Sequence, residues 1–162
     1  DLGAGDGLLS RTAAGYVKKV IAVDISGEML KELNRKADES GIKNIETIES
    51  DGQDVPLKSS SIDMVLANMY LHHIEEPEAA ISEMHRLLKK GGMVFLADFC
   101  EHDNIELKTR MHDVWSGFDP DEVRVWFEKY GFKDIRIEAA VNNNKRKGSK
   151  KLERMFVLTA VK

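Results

Sequence analysis

The chain has 162 residues, 42% hydrophobic and 32% charged, which is one domain's worth of ordinary globular sequence. No apolar run approaches the roughly 18 residues of a membrane span, and the net charge of −4 argues against a global basic field for nucleic acid. The single cysteine, Cys100, excludes an internal disulfide and fits a reducing, cytoplasmic compartment.

The chain opens on Asp1-Leu2-Gly3-Ala4-Gly5-Asp6-Gly7, glycines at every second position before a helix-like run. Val20-Ile21-Ala22-Val23 is a short apolar run ending at Asp24, the pattern of a buried strand. Ser26 can cap the next helix, with Met29, Leu30, Leu33 and Ala37 as its apolar stripe and Gly41 at its end. Asn44 to Glu49 reads as a strand closing on Ser50-Asp51-Gly52, and Ile62 to Ala67 as another. Pro77 suits a first helical turn, and Ala80, Ile81, Met84, Leu87 and Leu88 form that helix's buried face. Lys89 and Lys90 would complement its negative end before Gly91-Gly92 stops it. Met93 to Ala97 is a further strand, ending at Asp98. Asp119-Pro120-Asp121-Glu122 starts a last helix with Val123, Trp126, Phe127 and Tyr130 on one face, closed by Gly131. Ile135 to Val141 and Met155 to Val161 read as an antiparallel strand pair. Between them lies Lys145-Arg146-Lys147-Gly148-Ser149-Lys150-Lys151, first a solvated hairpin loop and second a nucleic-acid or acidic-partner patch.

Alternating strands and helices imply a parallel sheet covered on both faces, with ligands bound beyond the carboxyl ends of the strands. The polar residues collect there: Asp1 to Gly7, Asp24, Asp51, Asn68 and Asp98. A phosphate-cradling loop needs Gly-Lys-Ser/Thr, and this loop has no lysine. A dinucleotide loop needs a third glycine where Leu8 stands, and Asp6 would face an anionic pyrophosphate. A cationic ligand carrying a ribose and an adenine suits the acids better.

At this point the sequence resembles the class I S-adenosylmethionine-dependent methyltransferases, over essentially the whole chain. Asp1 to Gly7 is similar to the family's first motif. Val23-Asp24-Ile25-Ser26-Gly27-Glu28-Met29-Leu30 resembles the second, and Ser50-Asp51-Gly52-Gln53 the adenine-side loop. Asn68-Met69-Tyr70-Leu71-His72-His73 resembles the segment after the fourth strand, and Arg86 to Gly92 the turn before the fifth, with Lys90 replacing a usual proline. Asp98 to Asp103 with Met111 to Phe118 is similar to small-molecule methyltransferases associated with ArsR-type regulators, while ubiquinone/menaquinone-type enzymes share the first half better.

The resemblance implies a three-layer Rossmann-like α/β sandwich. Its mostly parallel sheet would have seven strands, with a C-terminal antiparallel pair and the first strand largely missing from this chain. It also implies one domain over residues 1–162 and an upstream extension of roughly 30–50 residues, enough for a strand and a helix. The implied cofactor is S-adenosylmethionine, with S-adenosylhomocysteine as product, and the implied partner is a small-molecule methyl acceptor. Gly3, Gly5 and Gly7 would bring backbone to the methionine, and Asp1 would lie beside its ammonium. Asp24 would take the ribose hydroxyls, Ile25 and Met29 the adenine faces, Asp51 the exocyclic amine, Gly52 and Gln53 further backbone contacts, and Asn68 and Leu71 the methyl end.

Two other function classes are a cofactor-sensing module without catalysis and an RNA methyltransferase gripping phosphates through Lys145 to Lys151. His102 and His112 are the candidates for a general base or acceptor-positioning group, with packing as their default. No metal is expected. Adjacent His72 and His73 share an ion only if a turn aims both, and Glu75 and Glu76 look like helix-start residues. Trp115 and Phe118 face either an acceptor or the final helix, and Tyr70 suits a pocket wall.

Overall fold

The computed structural model describes residues 1–104, 109, 113–140 and 154–162. His112 and the basic run at Lys145 to Lys151 lie outside the described residues.

The elements run α1 (Leu8–Ala14), β1 (Val20–Asp24), α2 (Gly27–Glu39), β2 (Ile45–Glu49), β3 (Ile62–Asn68), a 3₁₀ turn (Leu71–His73), α3 (Pro77–Leu87), β4 (Leu88–Phe99), α4 (Pro120–Lys129), β5 (Lys133–Ala140) and β6 (Met155–Val161). Local chemistry sets several of these bounds. Ser26 Oγ accepts from Met29 N at 3.3 Å, and Asp119 Oδ1 accepts from Asp121 N at 2.9 Å, so both helices start on a side-chain cap. Pro120 occupies the first turn of α4, where its missing N–H costs nothing.

The strands form a pair, β2-β1, and a four-stranded group, β3-β4-β6-β5. β1 with β2 and β3 with β4 are parallel, and β6 runs antiparallel to both β4 and β5. Leu2 joins the two groups, bridging Val23 on one side and Ala67 on the other. The expected parallel sheet and C-terminal antiparallel pair are present. The seven-strand count is not: among the described residues there are six strands and one rung at Leu2. The rung cannot continue past Leu2, because Gly3 turns out of extended backbone at φ 67°.

Away from that rung the starting halves of β1 and β3 flank a cavity of about 390 Å³ lined by Val20, Ile21, Val55, Leu57, Ile62 and Leu87 among others. Asp1 N donates to Ile21 O at 2.9 Å along this edge.

Successive residues of β1 point to opposite faces. Ala22 packs in a small cluster with Leu30 and Leu33 of α2, while Val23 joins the main core with Met84 and Leu87 of α3 and Val123 and Phe127 of α4. The domain therefore has three layers. Met29 leaves the predicted stripe of α2 and is 47% exposed. In α4, Val123 and Phe127 are buried as expected, while Trp126 and Tyr130 are only partly buried.

The end of α3 departs from its expected form. The helix stops at Leu87, and Leu88 is already the first residue of β4, paired with Ile62. Gly91-Gly92 lies inside that strand, where the register shifts between the Leu88 and Met93 rungs and Gly91 has φ 79°. Lys89 points away to Asp63 at 2.7 Å. The cation on the helix end is Lys162, whose Nζ donates to His85 O at 2.6 Å and Leu88 O at 2.8 Å. No spacing rule reveals a residue that arrives from the far end of the chain.

Burial, with Lys162 beside it, holds the His85 imidazole below the usual histidine range. The unfolded chain therefore binds this proton at higher pH than the folded one. Stability is expected to fall as pH drops below about 6.5, levelling once folded His85 is itself protonated. Urea unfolding of His85→Gln at pH 7.5 and pH 5.5 checks this: the variant should lose less stability across the interval than the parent.

Candidate functional site

Because β1 to β4 are parallel, Asp24, Glu49, Asn68 and Phe99 finish at one edge of the sheet. The glycine loop lies on that edge. Ala4 N donates to Val23 O at 3.0 Å, and Leu2 N to Leu66 O at 2.8 Å. Asp24 then ties three segments together. Its Oδ2 accepts from Gly5 N at 2.7 Å, its Oδ1 from Ser26 N at 2.9 Å, and its carbonyl from Ser50 N at 3.0 Å. Each carboxylate oxygen keeps a further lone pair.

Tyr70 explains two of the glycines. Its ring is buried at 5% exposure, and its hydroxyl donates to Asp51 O at 3.0 Å. A Cβ at Gly3 would lie 2.7 Å from Tyr70 Cδ2, and one at Gly52 would lie 2.3 Å from Tyr70 Oη. Both glycines also have positive φ, 67° and 79°. Tyr70 thus wedges between the first loop and the loop after β2. The preceding Met69 pays for this placement with φ 55°, unusual for a residue with a side chain. Burial and the nearby acids, Asp51 first, push the Tyr70 hydroxyl above the usual tyrosine range. Gly7 serves packing instead, since a Cβ there would meet Leu33 Cγ at 2.3 Å. At Gly5 nothing lies within 4 Å of such a Cβ, so its face is open.

The remaining expected residues divide. Asp1 Oδ2 accepts from Ser10 Oγ of α1 at 2.5 Å. Asp6 pairs with Lys36 Nζ at 2.6 Å, a partner that holds its carboxyl below the usual range. Ile25 is 71% exposed beside Met29, giving two apolar side chains on the open edge next to Asp24. Asp51 Oδ1 accepts from Gln53 N at 2.9 Å, which shapes the loop at Gly52. Asn68 is exposed at the end of β3. Leu71 is fully buried in the main core and lines no open wall, because the 3₁₀ turn points it inward and Asp98 Oδ2 accepts from its N–H at 2.9 Å.

His102 stands beside Phe99, ring edge to face at 5.5 Å, and its Nδ1 accepts from Asn104 N at 3.3 Å. Phe118 is buried against Trp126 of the final helix, ring centroids 5.7 Å apart, whereas Trp115 is 41% exposed and its Nε1 donates to Ile74 O at 2.8 Å, ahead of α3. Arg86 clamps the loop before β3: it binds Glu83 at 2.6 and 2.7 Å and donates to Leu57 O at 2.8 Å and Val55 O at 3.0 Å. One feature had only its strand-end position as a signal. Asp98 is fully buried and accepts from His72 Nδ1 at 2.6 Å and Phe99 N at 2.7 Å.

A family model described as "Methyltransferase domain" matches residues 1–96, from the glycine loop through most of β4. The chain belongs to the methyltransferase-domain family. The matched stretch contains Asp24, Tyr70 and both loops, and it stops before Asp98 and His102.

Among curated relatives, this methyltransferase domain is 31% identical over 144 residues to 2-methyl-6-phytyl-1,4-hydroquinone methyltransferase 1 of Oryza sativa subsp. japonica, covering 85% of the chain and 42% of the relative. It is 30% identical over 105 residues to the ubiquinone/menaquinone biosynthesis C-methyltransferase UbiE of Sinorhizobium fredii, covering 64% of the chain and 40% of the relative. The chain thus spans less than half the length of these relatives. Among solved structures, Haemonchus contortus phosphoethanolamine N-methyltransferase 2 in complex with S-adenosyl-L-methionine superimposes with a TM-score of 0.81 at 19% identity, over 99% of this chain and 47% of that one. That likeness establishes a shared fold.

The Tyr70 wedge is testable. Gly52→Ala is expected to destabilise the methyltransferase domain by about 1–3 kcal/mol, from positive φ and the clash together. Combined with Tyr70→Phe, which removes the clashing oxygen, the loss should be smaller than the sum of the two single losses. A double-mutant cycle by urea denaturation measures that coupling, and strict additivity would remove the wedge.

Proposed function

We propose that this domain binds S-adenosylmethionine and transfers its methyl group to a small-molecule acceptor. The observation that carries the reading is Asp24, held by Gly5 N and Ser26 N with one lone pair free on each oxygen, aimed along the edge where the loops converge. A carboxylate so placed can accept from two vicinal ribose hydroxyls. The open face at Gly5 leaves room for a ligand to approach the backbone, and exposed Ile25 and Met29 suit the two faces of an adenine. Asp51, Gly52 and Gln53 would meet its amino edge, and Gly3, Gly7, Asp1 and Asn68 would shape the methionine side. Leu71 would support this end only from within the core.

The acids suit the sulfonium and ammonium of this cofactor, as they would not suit a pyrophosphate. The match to a solved methyltransferase holding S-adenosylmethionine supports the same choice. The sulfonium already activates the methyl group, so the protein's task is to align the acceptor in line with it and exclude water. The hydroquinone methyltransferase and the ubiquinone/menaquinone biosynthesis C-methyltransferase among the relatives favour a small organic acceptor. His102 is the candidate for orienting it. With Nδ1 accepting from Asn104 N, the neutral ring carries its proton on Nε2, which has no acceptor among the described residues. His112 is a second candidate from sequence alone.

Calorimetry with S-adenosylmethionine and S-adenosylhomocysteine tests the assignment. Asp24→Ala should weaken binding roughly ten-fold to several hundred-fold, from charge-assisted hydrogen bonds of about 1.5–3 kcal/mol each. Asp24→Asn should lose less, since it keeps one acceptor oxygen. Tight NAD binding by the unmutated chain, with no binding of either sulfur compound, would refute the reading. For the acceptor side, His102→Ala should lower turnover while leaving cofactor affinity nearly unchanged; equal losses in both would make the residue structural.

A further inference from the structure

A second group of polar side chains lies just past the edge proposed for the cofactor, and three of its buried atoms lack hydrogen-bond partners among the described residues. His72 is fully buried, with Nδ1 2.6 Å from Asp98 Oδ1. Backbone N–H groups of Phe99 and Leu71 occupy the two oxygens of Asp98, which is therefore the acceptor, and His72 donates through Nδ1. In that tautomer Nε2 presents a lone pair. It faces another acceptor: Asp113 Oδ1, 3.6 Å away and itself 3.5 Å from His73 Nδ1. The Asp113 side chain is 0% exposed, and neither its oxygens nor His72 Nε2 has a hydrogen-bond partner among the described residues. Lone pairs that converge in a buried space are strongly disfavoured unless a cation or a hydrogen-bond donor joins them.

The backbone holds this arrangement in place. The 3₁₀ turn at Leu71–His73 sets the two imidazoles 4.1 Å apart between centroids, both reaching the same carboxylate. Val114 N and Trp115 N each donate to His72 O at 3.0 Å, pinning the segment that carries Asp113 onto the turn. Phe99 closes one side, 5.3 Å from the His72 ring.

We propose that His72 Nε2, His73 Nδ1 and an Asp113 carboxylate oxygen form a three-ligand site for a divalent transition-metal ion of the zinc class. The three ligand atoms lie within 4.8 Å of one another. Zinc bound to nitrogen at about 2.0–2.1 Å and oxygen at about 2.0–2.2 Å places tetrahedral ligand atoms about 3.4 Å apart, and the two nitrogen–oxygen separations of 3.5 and 3.6 Å are close to that. Two imidazoles and one carboxylate select zinc-like ions over magnesium or calcium, which prefer oxygen. Asp98 supplies the outer carboxylate that fixes the tautomer and raises the basicity of a metal-binding histidine. A direct His72–Asp113 ion pair explains the geometry less well, because 3.6 Å is too long for a hydrogen bond. This departs from the expectation of no metal: the turn does aim both histidines, and the acid comes from Asp113 rather than Glu75 or Glu76.

Three protein ligands leave a fourth position, which opens beside His73, whose side chain is 40% exposed. That position would take water or an oxygen of an acceptor, immediately after the residues proposed to bound the methyl end.

The test is metal binding by the chelator-stripped chain, independent of any methyl transfer. Zinc titration by calorimetry should give one ion per chain, and cobalt(II) should give the intense visible bands of a tetrahedral site. His73→Ala and Asp113→Asn should each weaken zinc binding at least about ten-fold, and Asp98→Asn about 10–100-fold. Glu75→Gln with Glu76→Gln, on the exposed helix start, should leave it unchanged. His73 is part-exposed, so its variant remains informative even if an Asp113 variant fails to fold. The proposal is overturned by no saturable zinc binding at micromolar concentrations, or by binding that survives His73→Ala undiminished. It is equally overturned if Asp113→Asn melts higher than a parent that binds no metal.

Discussion

The rung at Leu2 is the contact on which the rest of this structure depends. One residue bridges Val23 and Ala67 and joins a two-stranded group to a four-stranded one. On one side of it the chain turns at Gly3 into the loop that meets Asp24. On the other, the facing edges of β1 and β3 border the cavity. This cavity and the candidate site therefore lie at opposite ends of the same strands. The convergence of backbone donors and acids on one edge is the guide to the site.

Charged side chains at least partly buried tie the loops and helices to the sheet. Asp24 binds the glycine loop to the start of α2, Asp98 binds the 3₁₀ turn to β4, and Glu83 with Arg86 binds α3 to the loop before β3. In each case backbone N–H groups or carbonyls meet a charged side chain. Charge-assisted hydrogen bonds of this kind are directional, so they fix loop positions more tightly than apolar contact does. Tyr70 adds a steric constraint, since its ring requires glycine on two separate loops. The family match covers the Asp24 and Tyr70 ties and ends before Asp98. His72 and His73 fall within the matched residues, whereas Asp98 and Asp113 lie beyond them.

Much of this was legible in the sequence, and the reasons are local. Strand and helix positions follow from hydrophobic period and from Ser26, Asp119 and Pro120, because caps and patterning act within one turn of chain. The acids at strand ends marked the candidate edge, because parallel strands must finish together. Gly91-Gly92 misled because a glycine pair reads as a helix stop, whereas here the helix had already ended and Gly91 marks a register shift inside β4. What only tertiary structure decided are encounters between distant residues: Lys162 on the end of α3, Lys36 on Asp6, Tyr70 between Gly3 and Gly52, and Asp113 between two histidines. Nothing in local periodicity encodes which side chains meet across a sheet edge. Those meetings arise from the packing of whole elements, and they settle whether a charged or bulky residue is a surface group, a wedge or a ligand.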